Sequence, residues 1–226
     1  NYLTYSVAAR DGKEHDVEVY FEASPRWALD QPYQQSASEG YEADGLLYLK
    51  SGSKEQNILA KQGDDLRIDW GYFYMVAGKE NTAYSVGNST ELRKNFVNGT
   101  LNSASLEGED SNGNMALVRS HGKVKNVTDK IMLGYDDIYS IQYFGTNLRP
   151  YWNSKGDRTI EAEMLAAYNE YDKLLARCYA FDKKLMEDAS AAGGKEYAEL
   201  CALAYRQSIA AHKLVEAPNG DLLWLS

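Results

Sequence analysis

Leu66-Arg67-Ile68-Asp69-Trp70-Gly71-Tyr72-Phe73-Tyr74-Met75-Val76 alternates apolar and other residues. Leu66, Ile68, Trp70, Tyr72, Tyr74 and Val76 share one face of an extended chain, while Arg67, Asp69 and Gly71 take the other. A period of two sustained for roughly eleven residues predicts a long strand. One apolar and one polar face predict an antiparallel sheet packed on a single side, as in a sandwich.

Working outward, the same period recurs at Leu3, Tyr5, Val7 and Ala9, and after Asp11-Gly12 at Val17, Val19 and Phe21, which predicts a hairpin. Further strands are expected at 45–50, 115–119, 130–135 and 138–144. Ser111-Asn112-Gly113-Asn114 and Asp136-Asp137 are the turns between them. One helix is expected at 89–97, capped by Asn88, with Glu91 reaching back and Gly99 ending it. The β region closes near Pro150, so the expected division is a β-sandwich domain over 1–150, open to extension at its N-terminus, and a helical part over 151–226.

Beyond Tyr151-Trp152-Asn153 the apolar period becomes about 3.6. Thr159 is the expected N-cap, Glu161 and Glu163 lie in the first turn, and the helix is expected to run to about Ala189. Ala191-Ala192-Gly193-Gly194 breaks it, and a second helix is expected over 195–215, before a turn at Pro218-Asn219-Gly220 and the strand-like Leu222-Leu223-Trp224-Leu225. Ala198, Leu200, Cys201, Leu203, Tyr205, Ile209 and Ala211 surround most of that second helix, so burial on most sides is expected. The covering partner is expected to be further helices of the same domain, with dimerisation through these helices as the competing explanation. Cys178 and Cys201 are expected to be small buried apolar residues, too far apart in height for a disulfide.

Composition narrows the function classes. With 33 acidic against 24 basic residues, the net charge of −9 offers no field for phosphate backbones, so nucleic acid is not an expected partner. No apolar run reaches the roughly 18 residues of a membrane span, and Asn1-Tyr2-Leu3-Thr4-Tyr5 reads as strand rather than signal peptide, any targeting segment having been removed or lying upstream. The 18 tyrosines suit half-buried strands, sugar stacking being a second use.

The stretch from Gly134 through Tyr135-Asp136-Asp137-Ile138-Tyr139 to Gly145-Thr146-Asn147-Leu148-Arg149-Pro150-Tyr151-Trp152 resembles the glutaminase A family of bacteria and fungi. Tyr197-Ala198-Glu199-Leu200-Cys201-Ala202-Leu203-Ala204-Tyr205-Arg206-Gln207, followed by Ala210-Ala211-His212-Lys213, is similar to the point where that family's helical domain begins. Asp11-Gly12-Lys13, His15-Asp16-Val17 and Val19-Tyr20-Phe21 are similar to its preceding β domain. The resemblance implies an α+β chain in which an antiparallel β-sandwich precedes a helical hairpin that begins an (α/α) toroid, related in architecture to six-hairpin glycosidases. It implies a secreted or periplasmic hydrolase acting on the side-chain amide of L-glutamine. A small-molecule substrate and the remaining helical domain are the implied partners, and most of the toroid lies outside this chain, which alone is expected to be inactive.

Amide hydrolysis needs an activated nucleophile or water and donors for the oxyanion. Ser208 and His212, four apart on one helix, share a face but have no identifiable orienting acid. Asp136 and Asp137 are neighbours on extended chain and point to opposite faces, so they cannot flank one bond; turn formation is their expected role, with Asp137 the one to face a cleft. His15, His121 and His212 are isolated, and no metal or cofactor is expected. Asp110 to Asn114 resembles a calcium loop only faintly, lacking its glycine and closing glutamate. Asn88, Asn98 and Asn126 begin glycosylation triplets. The catalytic residues stay unassigned, and the substrate-binding candidates are Asp137, Tyr143, Asn147, Arg149 and Trp152, with Tyr151 beside them, at the junction of the two regions. The alternative reading is a carbohydrate-binding or glycoside-hydrolase-associated sandwich module.

Overall fold

The computed structural model describes residues 1–63, 66–101 and 113–225. It divides into two compact units, Asn1–Ile138 and Tyr139–Ser226. The Ser111–Asn114 turn and the Asp110–Asn114 loop fall largely on residues outside those described.

The first unit is a sandwich of two antiparallel sheets. Strands β1 (Tyr2–Ala8), β2 (His15–Ala23), β3 (Ser36–Ala43), β4 (Leu46–Ser53), β5 (Tyr72–Gly78), β6 (Thr82–Gly87), β7 (Asn114–Val124) and β8 (Asn126–Asp136) form it. One sheet has the order β1-β8-β5-β4-β3 and the other β2-β7-β6. Their facing sides meet in a core of Ala23, Leu49, Phe73, Met75, Ala77, Met115, Leu117 and Ile131, joined by Ala28. Each such large side chain contributes about 1.5–3 kcal/mol relative to exposure.

β1 and β2 do not pair with each other, which corrects the hairpin expected at Asp11-Gly12. β1 pairs with β8, from Tyr2 opposite Met132 to Ala8 opposite Asn126, and β2 pairs with β7. The chain therefore changes sheets twice at one corner, at residues 9–14 and at Lys125, where Ala9 N–H donates to the Lys125 carbonyl at 2.8 Å. A register shift at Val17/Glu18 adds the local twist such a corner needs. Apolar alternation fixes which face of a strand is buried, and it carries nothing about which strand lies alongside.

Two further expectations are corrected in β4 and β5. The strand begins at Tyr72 rather than Leu66, because Gly71 adopts φ +73° and turns the chain. Both faces of β5 are buried: Phe73, Met75 and Ala77 point into the core, and Tyr74 and Val76 on the opposite face are also shielded. Tyr48 on β4 is likewise fully buried. Packing on one side alone is therefore not what these central strands do.

Helix α1 (Ser89–Val97) matches its expected bounds, with the Asn88 side chain accepting from Thr90 N at 2.9 Å. Its polar outer face is tied to the sandwich through Glu22, which accepts from Arg93 Nε at 2.7 Å and from Tyr20 Oη at 2.9 Å. Burial alone would push the Glu22 carboxyl up, but hydrogen bonds from Ser89, Asn114, Arg93 and Tyr20 outweigh it and bring it down to about 2.

The second unit opens with the hairpin β9 (Ile141–Tyr143) and β10 (Thr146–Leu148), which turns at Phe144 and Gly145, both at positive φ. Helix α2 (Ile160–Asn169) is capped by Thr159, whose hydroxyl accepts from Ala162 N at 3.2 Å. α2 ends at Glu170, so the helix expected to run unbroken from Thr159 is interrupted there. Helix α3 (Tyr171–Ala211) follows and folds back at Gly194, whose φ 82° and ψ −174° are accessible to glycine alone. Its two arms form a helical hairpin closed by Phe181 against Tyr205, ring centroids 5.0 Å apart. Ala189 and Ala198 are buried near the bend.

The second arm ends at Ala211, not near Val215, because β11 (Lys213–Glu216) pairs with β12 (Leu222–Leu225) across the Pro218-Asn219-Gly220 turn. Val215 also bridges to Pro150, and Ser154 Oγ donates to Glu216 at 2.8 Å, which anchors this hairpin within the unit. The expectation that the second arm is buried on most sides is not met within this chain: Leu200 is 61% and Leu203 52% exposed, and Ile209 is 47% exposed. For the same reason the free Cys178 is exposed and Cys201 only half-buried, contrary to the expectation for both. Among the described residues no helix is long and apolar enough to cross a membrane.

Candidate functional site

The densest arrangement of buried charge lies in the first unit, where the segment after β2 meets the segment before β5. Ser24 starts a single 3₁₀ turn over Pro25–Ala28, its hydroxyl accepting from Arg26 N at 3.3 Å. Ala28 and Leu29 then plug into the apolar interior and carry Asp30 in with them. Gln34 holds this loop rigid. Its Oε1 accepts from Asp30 N at 2.8 Å and Gln31 N at 2.9 Å, while its Nε2 donates to Asp69 Oδ2 at 2.8 Å.

Lys61 joins the two carboxylates, with Nζ 3.0 Å from Asp30 Oδ2 and 3.2 Å from Asp69 Oδ2. Asp30 and Asp69 are both buried, so a shared cation is what makes their ionised forms tolerable. The hydrogen bond from Lys61 holds the Asp30 carboxyl below the usual carboxylate range, and its bonds to Asp30 and Asp69 raise Lys61 in turn. Among the described residues, Asp30 Oδ1 is buried and has no hydrogen-bond partner.

Beside this network lies a tight corner at residues 70–71 and 135–138. Tyr135 Oη donates to the Trp70 carbonyl at 2.6 Å, and Trp70 Nε1 donates to the Asp137 carbonyl at 2.8 Å. Gln56 receives Gly71 N at 2.7 Å and returns Nε2 to the Gly71 carbonyl at 3.1 Å. Burial, followed by the charges of Asp137, Asp69 and Asp136, drives the Tyr135 hydroxyl far above its ordinary value, so it serves as a neutral donor. Ile138, a β-branched residue, sits at φ 58° with its N–H on Asp136 Oδ1 at 3.0 Å. That strained conformation is characteristic of positions over-determined by their surroundings.

The candidates named from sequence are distributed over both units. Asp137 belongs to the corner and is fully buried. Tyr143, Asn147, Arg149, Tyr151 and Trp152 belong to the second unit. There Arg149 lies over the Tyr139 ring, 4.7 Å from its centroid, and Asn147 Oδ1 accepts from Gln142 at 3.1 Å. Tyr143 meets Phe144 edge-on at 4.6 Å, and the Trp152 carbonyl accepts from Arg158 at 3.4 Å. The pairing of Ser208 with His212 is not a nucleophile and base. His212 Nδ1 donates to the Ser208 backbone carbonyl at 2.6 Å, and its ring stacks on Trp224.

His15 bonds Asp11 and His121 bonds the Tyr5 hydroxyl, each at about 3 Å. Among the described residues no three His, Cys, Asp or Glu side chains gather with metal-binding geometry. Sequence reading placed Asp69 on the polar face of a strand and passed over Asp30, Gln34 and Lys61.

The profile of a family described as a domain of unknown function, DUF5127, matches residues 1–188. The chain belongs to that family. The DUF5127 match takes in the whole sandwich, α2 and the first arm of α3 up to Asp188. This DUF5127 chain is also 26% identical over 242 residues to Glutaminase A of Aspergillus oryzae, an alignment that covers 100% of the chain and 34% of that protein. It therefore spans about a third of the length of this relative, a likeness that supports a glutaminase-like relationship.

Proposed function

We propose that this chain is the sandwich and first helical hairpin of a glutaminase-like amidohydrolase, one that converts L-glutamine to L-glutamate and ammonia. The observation that carries this reading is the similarity to Glutaminase A, which covers 100% of the chain. The chain's own role in it is mainly structural. The α3 hairpin begins a helical toroid whose remaining helices would cover Leu200, Leu203 and Ile209. Arg149, Asn147, Tyr143, Trp152 and Asp137 are then the residues of this part nearest in sequence to the junction, with Arg149 suited to a substrate carboxylate. A secreted or periplasmic location belongs to the same reading.

The test is ammonia release from L-glutamine by the full-length protein that contains this chain. Release above that of heat-inactivated enzyme supports the proposal, and a folded full-length protein that releases none from glutamine refutes it.

A further inference from the structure

The two arms of α3 leave a long groove along one side of their hairpin. A cavity of about 610 Å³ bounded by Leu174, Cys178, Phe181 and Tyr205 adjoins a second of about 270 Å³ that reaches Leu185 and Met186, and the two share Asp182, Tyr205 and Arg206. From Leu174 to Met186 the groove runs about 18 Å, a little over three helical turns. Leu174, Cys178, Phe181 and Leu185 recur at the alternating four- and three-residue spacing by which one helix packs on another. The second arm covers that seam only in part: the Phe181 and Tyr205 rings meet, yet Phe181 stays 46% and Tyr205 43% exposed, and Cys178 is exposed. Beside this apolar floor stand Arg177 on the first arm and Arg206 on the second. Among the described residues neither guanidinium has a carboxylate partner, and Asp182 in the same lining pairs with neither.

We infer that this groove seats an amphipathic helix that carries carboxylates along its flanks and belongs to the same protein. The origin of that helix rests on the reading proposed above, in which the hairpin opens a larger helical domain: the alignment takes in 34% of Glutaminase A, which leaves about two-thirds of that relative to supply it. An apolar groove three turns long fits a helix laid along it, with an apolar ridge filling the space between Cys178, Phe181 and Tyr205. Carboxylates at the edges of the ridge meet Arg177 and Arg206, whose planar forks take them in paired hydrogen bonds. A second copy of the chain fits less well, because a two-fold contact through the same patch brings the arginines of both copies together.

Maleimide labelling of Cys178 in the folded full-length protein, resolved by mass spectrometry of the labelled peptide, is the test. Cys178 should label at least about tenfold more slowly there than in the 226-residue chain, where it lies open. In the full-length protein Arg177→Glu combined with Arg206→Glu should speed labelling by at least about tenfold, whereas Arg177→Lys combined with Arg206→Lys should keep most of the protection. Circular dichroism checks that both double variants fold; if the charge-reversed one does not, Arg206→Gln alone carries the test, with faster labelling than in the unaltered protein expected. Equal labelling in the full-length protein and in the chain would overturn the site, and protection indifferent to charge reversal would overturn the acidic partner. Protection in the chain alone that fades on dilution would assign the groove to a second copy and overturn the inference. A full-length protein that protects Cys178 in this charge-dependent way but releases no ammonia from glutamine supports the groove and refutes only the proposed activity.

Discussion

Replacing Gly71 by alanine should damage the sandwich far more than the loss of one glycine normally does. At φ +73° any L-residue pays about 1 kcal/mol for the left-handed backbone. A Cβ at this position would also run into the Asp136 carbonyl oxygen and lie 2.8 Å from Asp137 Cα. Both are backbone, so neither can rotate aside, and relief must come from moving the 135–138 corner. That movement stretches three bonds that fix the corner: Gly71 N to Gln56 Oε1, Trp70 Nε1 to the Asp137 carbonyl and Tyr135 Oη to the Trp70 carbonyl. At about 1 kcal/mol for each weakened bond, the total is about 3–4 kcal/mol. Gly45→Ala is the matched control: φ is +79°, yet a Cβ there meets nothing within 4 Å, so only the cost of about 1 kcal/mol applies. Urea unfolding followed by tryptophan fluorescence compares the two, since Trp70 reports directly on the corner. Equal losses for Gly71→Ala and Gly45→Ala would show that the close approach of the two segments does not exist.

Other outcomes follow from the same structure. Glu22 has an ordinary carboxyl value of 4.5 when unfolded and about 2 when folded, so its contribution is complete above about pH 5 and is lost as pH falls from 4.5 to 2. After allowance for solvent screening this is worth about 1–2 kcal/mol, and Glu22→Gln should flatten the acid limb of a plot of urea midpoint against pH by that amount. Phe144 is 92% exposed at φ 44° beside Gly145, where a two-residue hairpin turn favours Asn-Gly; Phe144→Asn should stabilise the second unit by about 1 kcal/mol, and a fall in its thermal midpoint would contradict the strain. In the chain as it stands, Cys178 should react with a thiol reagent without denaturant and Cys201 more slowly, whereas protection of both until unfolding would mean that the α3 arms pack differently.

Much of the architecture was legible because local physics decides it. The Asn88 and Thr159 caps, the Gly193-Gly194 break and the period-two runs of β4, β7 and β8 are encoded within a few residues of where they act. Pairing is different. Asp11-Gly12 has the residues of a hairpin turn, yet β1 and β2 find partners in β8 and β7 that lie far along the chain, from Ala23 opposite Met115 to Tyr2 opposite Met132, and no short window carries that choice. The candidate sites divide in the same way. Asp137 was visible as one of an aspartate pair, but Asp30, Gln34, Lys61 and Asp69 form a network only after two loops meet, and each alone looks like a solvated polar residue.

The partnership between Tyr2 and Met132 also dictates a timetable. During synthesis the first strand leaves the ribosome with its neighbour some 130 residues short of existing. Until then Leu3, Tyr5 and Val7 hold an open edge that other chains can borrow. Closing so long a loop is slow, so β1 should dock after the strands that lie between it and β8 in sequence.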